Sequence, residues 1–155
     1  MTVLYLLDTD HITLLQRNHP AVIVRLASLP PEVVAVTVVS AMEQMRGRLA
    51  QLHRAKTAPE VVKAFARFQE ALHFYRTVPV VPYDEAAAAQ FVRLRALHTP
   101  HPGTQDLRIA AIALSRGATL VTRNRRDFED IAGLRMENWS VTLPSGRAHM
   151  PPGLS

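Results

Sequence analysis

The chain of 155 residues contains no cysteine. A protein without thiols has no disulfide framework, no zinc ribbon and no cysteine nucleophile, and it is compatible with a reducing compartment. Long apolar runs are missing too: the longest candidates, around Leu6 and over 33–39, fall well short of the roughly 18 residues of a membrane span. An acid at position 8 and the lack of a basic leading segment argue against a secretory signal. We therefore expect a cytoplasmic protein with no membrane-spanning segment.

Acidic residues are scarce, 13 against 18 basic ones, and only two of the basic residues are lysines. The net charge of +5 therefore rests on arginine, whose planar fork suits phosphate. This favours a polyanionic partner. The alternative is that a GC-rich genome has raised arginine together with alanine and proline, and composition alone leaves both readings open. A hydrophobic content of 48% in a chain of this length predicts one globular domain.

Short apolar runs alternate with helical patterns along the chain, which predicts an α/β fold with a mostly parallel central sheet covered by helices on both faces. The predicted strands cover 3–7, 33–39, 78–81, 118–121 and 134–136, and the predicted helices cover 20–29 and 104–115 and begin near Asp10, Ser40, Asp84 and Asn124. A helical hairpin is divided at Ala58-Pro59. Apolar residues recurring on its second helix predict a core face made of Val61, Phe65, Phe68 and Leu72. Residues 140–155 lack periodicity and are predicted to form a flexible tail.

Most of the predicted strands are followed by acidic or amide residues. Asp8 and Asp10 follow the first strand, Glu43 follows the second, and Asn124 and Asp127 follow the fourth. Asp106 opens the helix after a loop rich in proline. Because the carboxyl edge of an open parallel sheet is where ligands bind, these side chains are expected to converge. Clustered carboxylates repel one another unless they bind a cation, and oxygen ligands suit Mg²⁺ or Mn²⁺. With a basic surface, this pattern predicts metal-dependent phosphodiester cleavage.

Each acid except one also has a structural explanation. The segment from Ser40 to Glu43 fits a helix capping box, Asn124 is suited to cap a helix that has Asp127 in its first turn, and Asp106 gains from the helix dipole. Asp8 ends a buried strand, where propensity gives an acid little reason to be. Capping and metal binding are compatible, so both explanations stay open for these residues.

Four segments, LLDTDHITLL, SAMEQMRG, GTQDLRIAAIAL and GATLVTRNRRDF, together resemble the PIN-domain ribonucleases, specifically the VapC-like toxins of bacterial toxin-antitoxin pairs. The resemblance covers about residues 3 to 139 and implies a PIN-like three-layer sandwich over 1–139. It also implies a Mg²⁺-bound acid cluster, endonucleolytic cleavage of RNA, a homodimer and a cognate antitoxin that blocks the site. Asp8, Glu43 and Asp106 occupy three of the family's acidic positions, and the resemblance makes them catalytic metal ligands.

The fourth acidic position of the family falls on Asn124, which leaves open whether the site holds one metal ion or two. Asp127, one turn later, is the residue expected to substitute for the missing carboxylate, directly or through water. Candidate contacts to the RNA are a threonine and three arginines close to the acidic segments: Thr122, Arg46, Arg108 and Arg123.

Three other functions fit parts of the sequence. The asparagine at the fourth position is compatible with a catalytically impaired module that only binds RNA. The segment Asp8-Thr9-Asp10 resembles the nucleophile motif of haloacid-dehalogenase-type phosphatases, which also need a lysine at the phosphate. Here the only lysines, Lys56 and Lys63, fall in the helical hairpin. A metal-free nuclease would have to use His98 and His101, which lie in a loop.

Overall fold

The computed structural model describes residues 2–3 and 5–141. A five-stranded sheet forms its centre, in the order β3-β2-β1-β4-β5, and every pair of neighbours is parallel. The strands are β1 (Tyr5–Leu7), β2 (Val34–Thr37), β3 (Val80–Val81), β4 (Thr119–Val121) and β5 (Met136–Glu137). The α/β class and the parallel sheet are therefore confirmed. The third strand is shorter than predicted and the fifth lies slightly later in the chain. The predicted tail lies, from residue 142 onward, outside the described residues.

Helices cover both faces of the sheet. In chain order they are α1 (Thr9–Gln16), α2 (Pro20–Ala27), α3 (Val38–Arg54), α4 (Ala58–Thr77), α5 (Glu85–Leu97), α6 (Thr104–Arg116) and α7 (Arg125–Phe128). Helices α3 and α4 form the expected hairpin, and Gly117 ends α6 in the left-handed conformation with φ of 61°. Within the described residues, none of these helices is both long and apolar enough to span a membrane.

Alternate residues of each strand enter two separate cores. Leu6 and Leu120 pack with the buried faces of α5 and α6, whereas Leu7 and Val121 pack with α1 and α2 on the other face. Because both faces are covered, the three central strands are largely apolar rather than alternating, as parallel strands in a sandwich generally are. The predicted three-layer architecture is confirmed.

The second strand is shorter and its helix begins earlier than predicted. Thr37 is the N-cap of α3, and its Oγ1 accepts a hydrogen bond from the backbone N–H of Ser40 at 3.0 Å. The capping box predicted to begin at Ser40 is therefore wrong, since Ser40 is buried inside the first turn. Both residues can cap a helix, and the sequence does not show which of the two positions is extended.

The predicted core face of α4 is wrong in part: Val61 and Phe68 are half-buried, but the other two residues are exposed. Phe65 is 58% exposed and Leu72 is 47% exposed, while Ala64 and Ala71 are buried. Small residues let two helices approach closely, so α4 packs through these alanines and leaves Phe65 and Leu72 largely exposed. Helical periodicity found an apolar stripe on α4, but part of this stripe is surface.

Candidate active site

Asp8 joins β1 to α1 and is nearly buried, with 8% of its surface exposed. Its Oδ1 accepts a hydrogen bond from the backbone N–H of His11 at 3.0 Å, which makes Asp8 the N-cap of α1. The expectation that Asp8 has no local structural role is therefore wrong. A capped helix nevertheless fixes the carboxylate at the carboxyl edge of the central strand, where a ligand site requires it.

A small open pocket of about 170 Å³ lies at this edge. It is lined by residues that come from separate parts of the chain: Asp8, Thr9, Asp10, Glu43, Asp106, Ile109, Asn124 and Phe128. The pocket lies by β1 and β4, where the strand order reverses and where parallel α/β sheets bind their ligands. The structure thus brings Asp8, Glu43, Asp106 and Asn124 together, as the sequence predicts.

Glu43 lies on α3 and is half-buried. Thr9 Oγ1 donates a hydrogen bond to its Oε1 at 3.3 Å. Burial raises the pKa of Glu43 above its ordinary value, and the negative charge of Asp106 raises it further, while Thr9 and nearby Arg46 act in the opposite direction. The Glu43 carboxylate is therefore coupled electrostatically to an acid 63 positions later in the sequence.

Asp106 lies in the first turn of α6 and is also half-buried. Burial raises its pKa, and the charges of Asp127, Asp8 and Asp10 raise it further, in that order. Since these acids disfavour one another's ionised forms, the cluster is electrostatically unfavourable on its own. A cation bound among the carboxylates would relieve this repulsion.

Asn124 occupies the N-cap position of α7 but makes no side-chain capping bond. Its backbone N–H donates to Thr122 Oγ1 at 2.9 Å, and its Nδ2 donates to Asp127 Oδ2. The proposed capping role for the Asn124 side chain is therefore wrong. Asp127 does not line the pocket, yet it holds Asn124 and influences Asp106, so it lies at the border of the site.

The candidate RNA contacts differ in their relation to the pocket. Arg123 lies beside Asp10, with 3.9 Å between its Nη2 and Asp10 Oδ2, and Arg46 lies close enough to Glu43 to affect its pKa. Arg108 instead lies over the ring of Phe91 at 5.4 Å and does not line the pocket. Thr122 is 2% exposed and serves the turn before α7.

The donor atoms of the pocket fit a hard divalent metal ion in kind, because they are carboxylate and amide oxygens that repel one another in its absence. In the described part of the chain, however, no group of three His, Cys, Asp or Glu side chains is arranged to hold a metal ion. Mg²⁺ commonly takes only one or two protein carboxylates and completes its shell with water, so the pocket satisfies this smaller requirement. Direct ligation by Asp8, Glu43 and Asp106 together stays a prediction.

Two polar residues of this region have no place in the sequence prediction. Thr9 holds Glu43, and His11 is fully buried against Asp8. The spacing of three between Asp8 and His11, which is typical of a capped first turn, is the only sequence signal for this contact. The lysines and histidines considered for the phosphatase and the metal-free nuclease do not line the pocket: Lys56, Lys63, His98 and His101.

These observations define an α/β protein whose candidate active site is an acid cluster at the carboxyl edge of a parallel sheet. Comparison with known proteins agrees with this class. The family model described as PIN domain matches residues 5–134, and the chain therefore belongs to the PIN domain family.

Similar proteins within this family are VapC proteins. The tRNA(fMet)-specific endonuclease VapC of Shigella flexneri is 31% identical over 140 residues, which cover 88% of this chain and 98% of that protein. The crystal structure of DNA-bound VapBC from Salmonella typhimurium has a TM-score of 0.70 and 29% identity, and the match covers 89% of this chain and 99% of that one. The structure of VapBC2 from Rickettsia felis bound to promoter DNA has a TM-score of 0.71 at 22% identity, covering 88% and 99%, and supports the fold.

Proposed function

We propose that this chain is a metal-dependent endoribonuclease of the VapC type, acting in the cytoplasm as the toxin of a toxin-antitoxin pair. The observation that carries the proposal is the convergence of Asp8, Glu43 and Asp106 in one pocket of a PIN domain. The names of the relatives, endonucleases and toxin-antitoxin complexes, support the class of reaction and of partner.

The residues of the pocket have different roles in this proposal. Asp8, Glu43 and Asp106 hold Mg²⁺, which Mn²⁺ can replace, with Asp8 as the most rigid of the three because it also caps α1. The bound metal ion supplies polarisation of the scissile phosphate and activation of water. Asn124, oriented by Asp127, borders the same pocket.

Arginines at the border of the pocket bind the RNA backbone in this proposal. Arg123 and Arg46 lie beside Asp10 and Glu43, where their charge attracts phosphate toward the acids. Since Arg108 packs on Phe91 outside the pocket, it contacts RNA only at a distance from the cleaved bond.

The partners are an antitoxin and a second copy of the chain. The solved relatives include a structure named as a toxin-antitoxin complex. Large apolar side chains on α4 and α5 are exposed, among them Phe65 at 58% and Val92 at 70%, and such residues are common in protein interfaces. Sedimentation of the chain without antitoxin is expected to give a dimer at micromolar concentration, and a monomer would contradict this part of the proposal.

A cleavage assay tests the reaction. The wild-type protein is incubated with an initiator tRNA transcript and with a mixed RNA pool, in Mg²⁺, in Mn²⁺ and in excess EDTA. We expect cleavage that requires the metal and is lost in Asp106→Asn. The matched control is Asp84→Asn, which removes an acid from the N-cap of α5 outside the pocket and is expected to cleave normally.

The same assay distinguishes the second candidate function, an RNA-binding module without activity, which the asparagine in the pocket favours. RNA binding without cleavage of any RNA in either metal would support that alternative. Cleavage that is equal in EDTA and in Mg²⁺ would contradict metal dependence.

A further inference from the structure

A fully buried histidine lies directly behind the pocket. His11 has no exposed surface, and both of its ring nitrogens have a partner. Nδ1 lies 3.3 Å from Asp8 Oδ1, and Nε2 lies 3.2 Å from the backbone nitrogen of Trp139. His11 therefore connects a candidate metal ligand to the segment that follows β5.

The contact with Trp139 determines which ring nitrogen carries the proton. A backbone N–H can only donate, so His11 Nε2 must accept with its lone pair. In a neutral imidazole the proton then lies on Nδ1, which donates it to Asp8 Oδ1. The pair is therefore a hydrogen bond from a neutral ring rather than an ion pair.

Several contacts hold Trp139 in place beside His11. Its side chain is 4% exposed, its ring centroid lies 5.4 Å from that of Tyr5, and Arg25 lies over both rings at about 5.5 Å. Arg25 also forms an ion pair with Glu137 at 3.3 Å. These contacts fix the backbone at Trp139 independently of the acids in the pocket.

The carboxylate of Asp8 accepts both of its hydrogen bonds on the same oxygen atom. Oδ1 accepts from the backbone N–H of His11 and from the His11 ring, whereas Oδ2 has no hydrogen-bond partner among the described residues. The backbone donor would be present with any residue at position 11. The ring donor, in contrast, depends on the histidine.

We propose that His11 is a positioning residue, held by Trp139 in the Nδ1-protonated form so that it directs Asp8 Oδ2 toward the metal ion. This inference rests on the proposed metal-dependent function. Hydrogen bonds of this kind behind a ligating carboxylate typically contribute 10–100-fold to metal affinity.

Two amide substitutions separate the two contacts of the ring. In His11→Asn the amide nitrogen takes the position of Nδ1 and still donates to Asp8, but nothing meets the Trp139 N–H. In His11→Gln the amide reaches the position of Nε2 and accepts from Trp139, but the donor to Asp8 is lost. The capping bond to Asp8 is retained in both variants because its donor is backbone.

The first measurement is the ¹⁵N spectrum of the histidine rings in the metal-free wild-type protein. We expect a protonated Nδ1 and an unprotonated Nε2 for His11. The opposite tautomer, or a doubly protonated ring, would overturn the inference without affecting the proposed nuclease function.

The second measurement is Mn²⁺ affinity without RNA, followed by the electron paramagnetic resonance signal of free Mn²⁺. We expect His11→Gln to bind Mn²⁺ about 10–100-fold more weakly than wild type and His11→Asn to stay close to wild type. The control is His19→Asn, which replaces a histidine at the N-cap of α2, outside the pocket, by another good capping residue. Equal affinity of folded His11→Gln and wild type would refute the positioning role, whereas a wild-type protein that does not bind Mn²⁺ would refute the proposed function as well. If the two variants do not fold, the tautomer of His11 in the wild-type protein decides whether the inference stands.

Discussion

Asp8 has two roles that a pair of substitutions can separate, because it caps α1 and also lines the acid pocket. Asparagine caps a helix about as well as aspartate, so Asp8→Asn keeps the cap and removes the charge. Alanine cannot cap, so Asp8→Ala loses about 1 kcal/mol of stability, and about 1–3 kcal/mol more because the buried Nδ1 of His11 is left without its partner. We expect both variants to be inactive and only the alanine variant to be destabilised.

The size of these effects follows from the length of the chain and from the electrostatics of the pocket. For a domain of this length, 1 kcal/mol corresponds to about 2–4 °C in Tm, so the two variants are expected to differ by at least this amount in EDTA. Asp8→Asn is expected to unfold at or slightly above the wild-type temperature, because the Asp8 charge raises the pKa of both Glu43 and Asp106. Metal ions at a hundredfold excess over Kd stabilise the wild type by about 2.7 kcal/mol, or about 5–10 °C, and neither variant shows this rise.

The assay is thermal unfolding followed by circular dichroism in EDTA and in Mg²⁺, together with RNA cleavage. Asp84 offers a matched control, since its Oδ1 caps α5 by accepting from the Ala87 N–H at 3.0 Å and it lies outside the pocket. The Asp84→Asn and Asp84→Ala variants are expected to differ by about 2–4 °C, the effect of a cap alone, and to keep the full stabilisation by metal. An Asp8→Asn variant that retains this stabilisation, or that cleaves at the wild-type rate, would refute metal binding by Asp8. Equal stability of the two Asp8 variants would refute the capping role.

The remaining predictions concern three other positions of the pocket and one tyrosine. Asp106→Asn is expected to raise the free energy of unfolding of the metal-free protein at pH 7, since the raised pKa of Asp106 means that its ionised form destabilises the fold. In urea unfolding this gain should shrink as the pH falls through the raised pKa of Asp106 and be absent below 3.8, the ordinary value. Asp127→Asn is expected to weaken cleavage most at low Mg²⁺, and Asn124→Asp to keep or raise it; unchanged Mg²⁺ titrations of the cleavage rate would assign Asp127 a purely structural role. Burial raises the pKa of Tyr75 to about 12 from an ordinary 10.0, so the native state keeps a proton that the unfolded state releases, and stability falls as the pH rises through this window. Tyr75→Phe should lessen that fall in urea titrations between pH 9 and 11, and an identical pH dependence in both proteins would contradict the assignment.

The sequence was sufficient to predict the acid pocket because of a property of parallel sheets. Strands such as β1 and β4 end at the same edge, so residues that directly follow them are neighbours however far apart they lie in the chain. Asp8 and Asn124 meet for this reason, and Glu43 and Asp106 join them because α3 and α6 begin at that edge. No knowledge of side-chain packing was required.

The missed features depend on packing, which a pattern in one segment does not contain. The apolar stripe of α4 was correctly found, but Phe65 and Leu72 face solvent because Ala64 and Ala71 permit the closer approach to α3. His11 was missed because its second partner, Trp139, lies 128 positions away. The local sequence around His11 shows neither that a backbone N–H donates to its ring nor that this donor belongs to Trp139.

The order of the strands has a consequence for the synthesis of the chain. The central strand, Tyr5–Leu7, is made well before one of its two neighbours, Thr119–Val121, which lies 114 positions later in the chain. A growing chain that ends before residue 119 exposes one edge of β1 and lacks Asn124 and Phe128 of the acid pocket. The acid pocket is therefore completed only after β4 and the segment up to Phe128 have been synthesised, and chains released before that point carry Asp8 and Glu43 without the complete site.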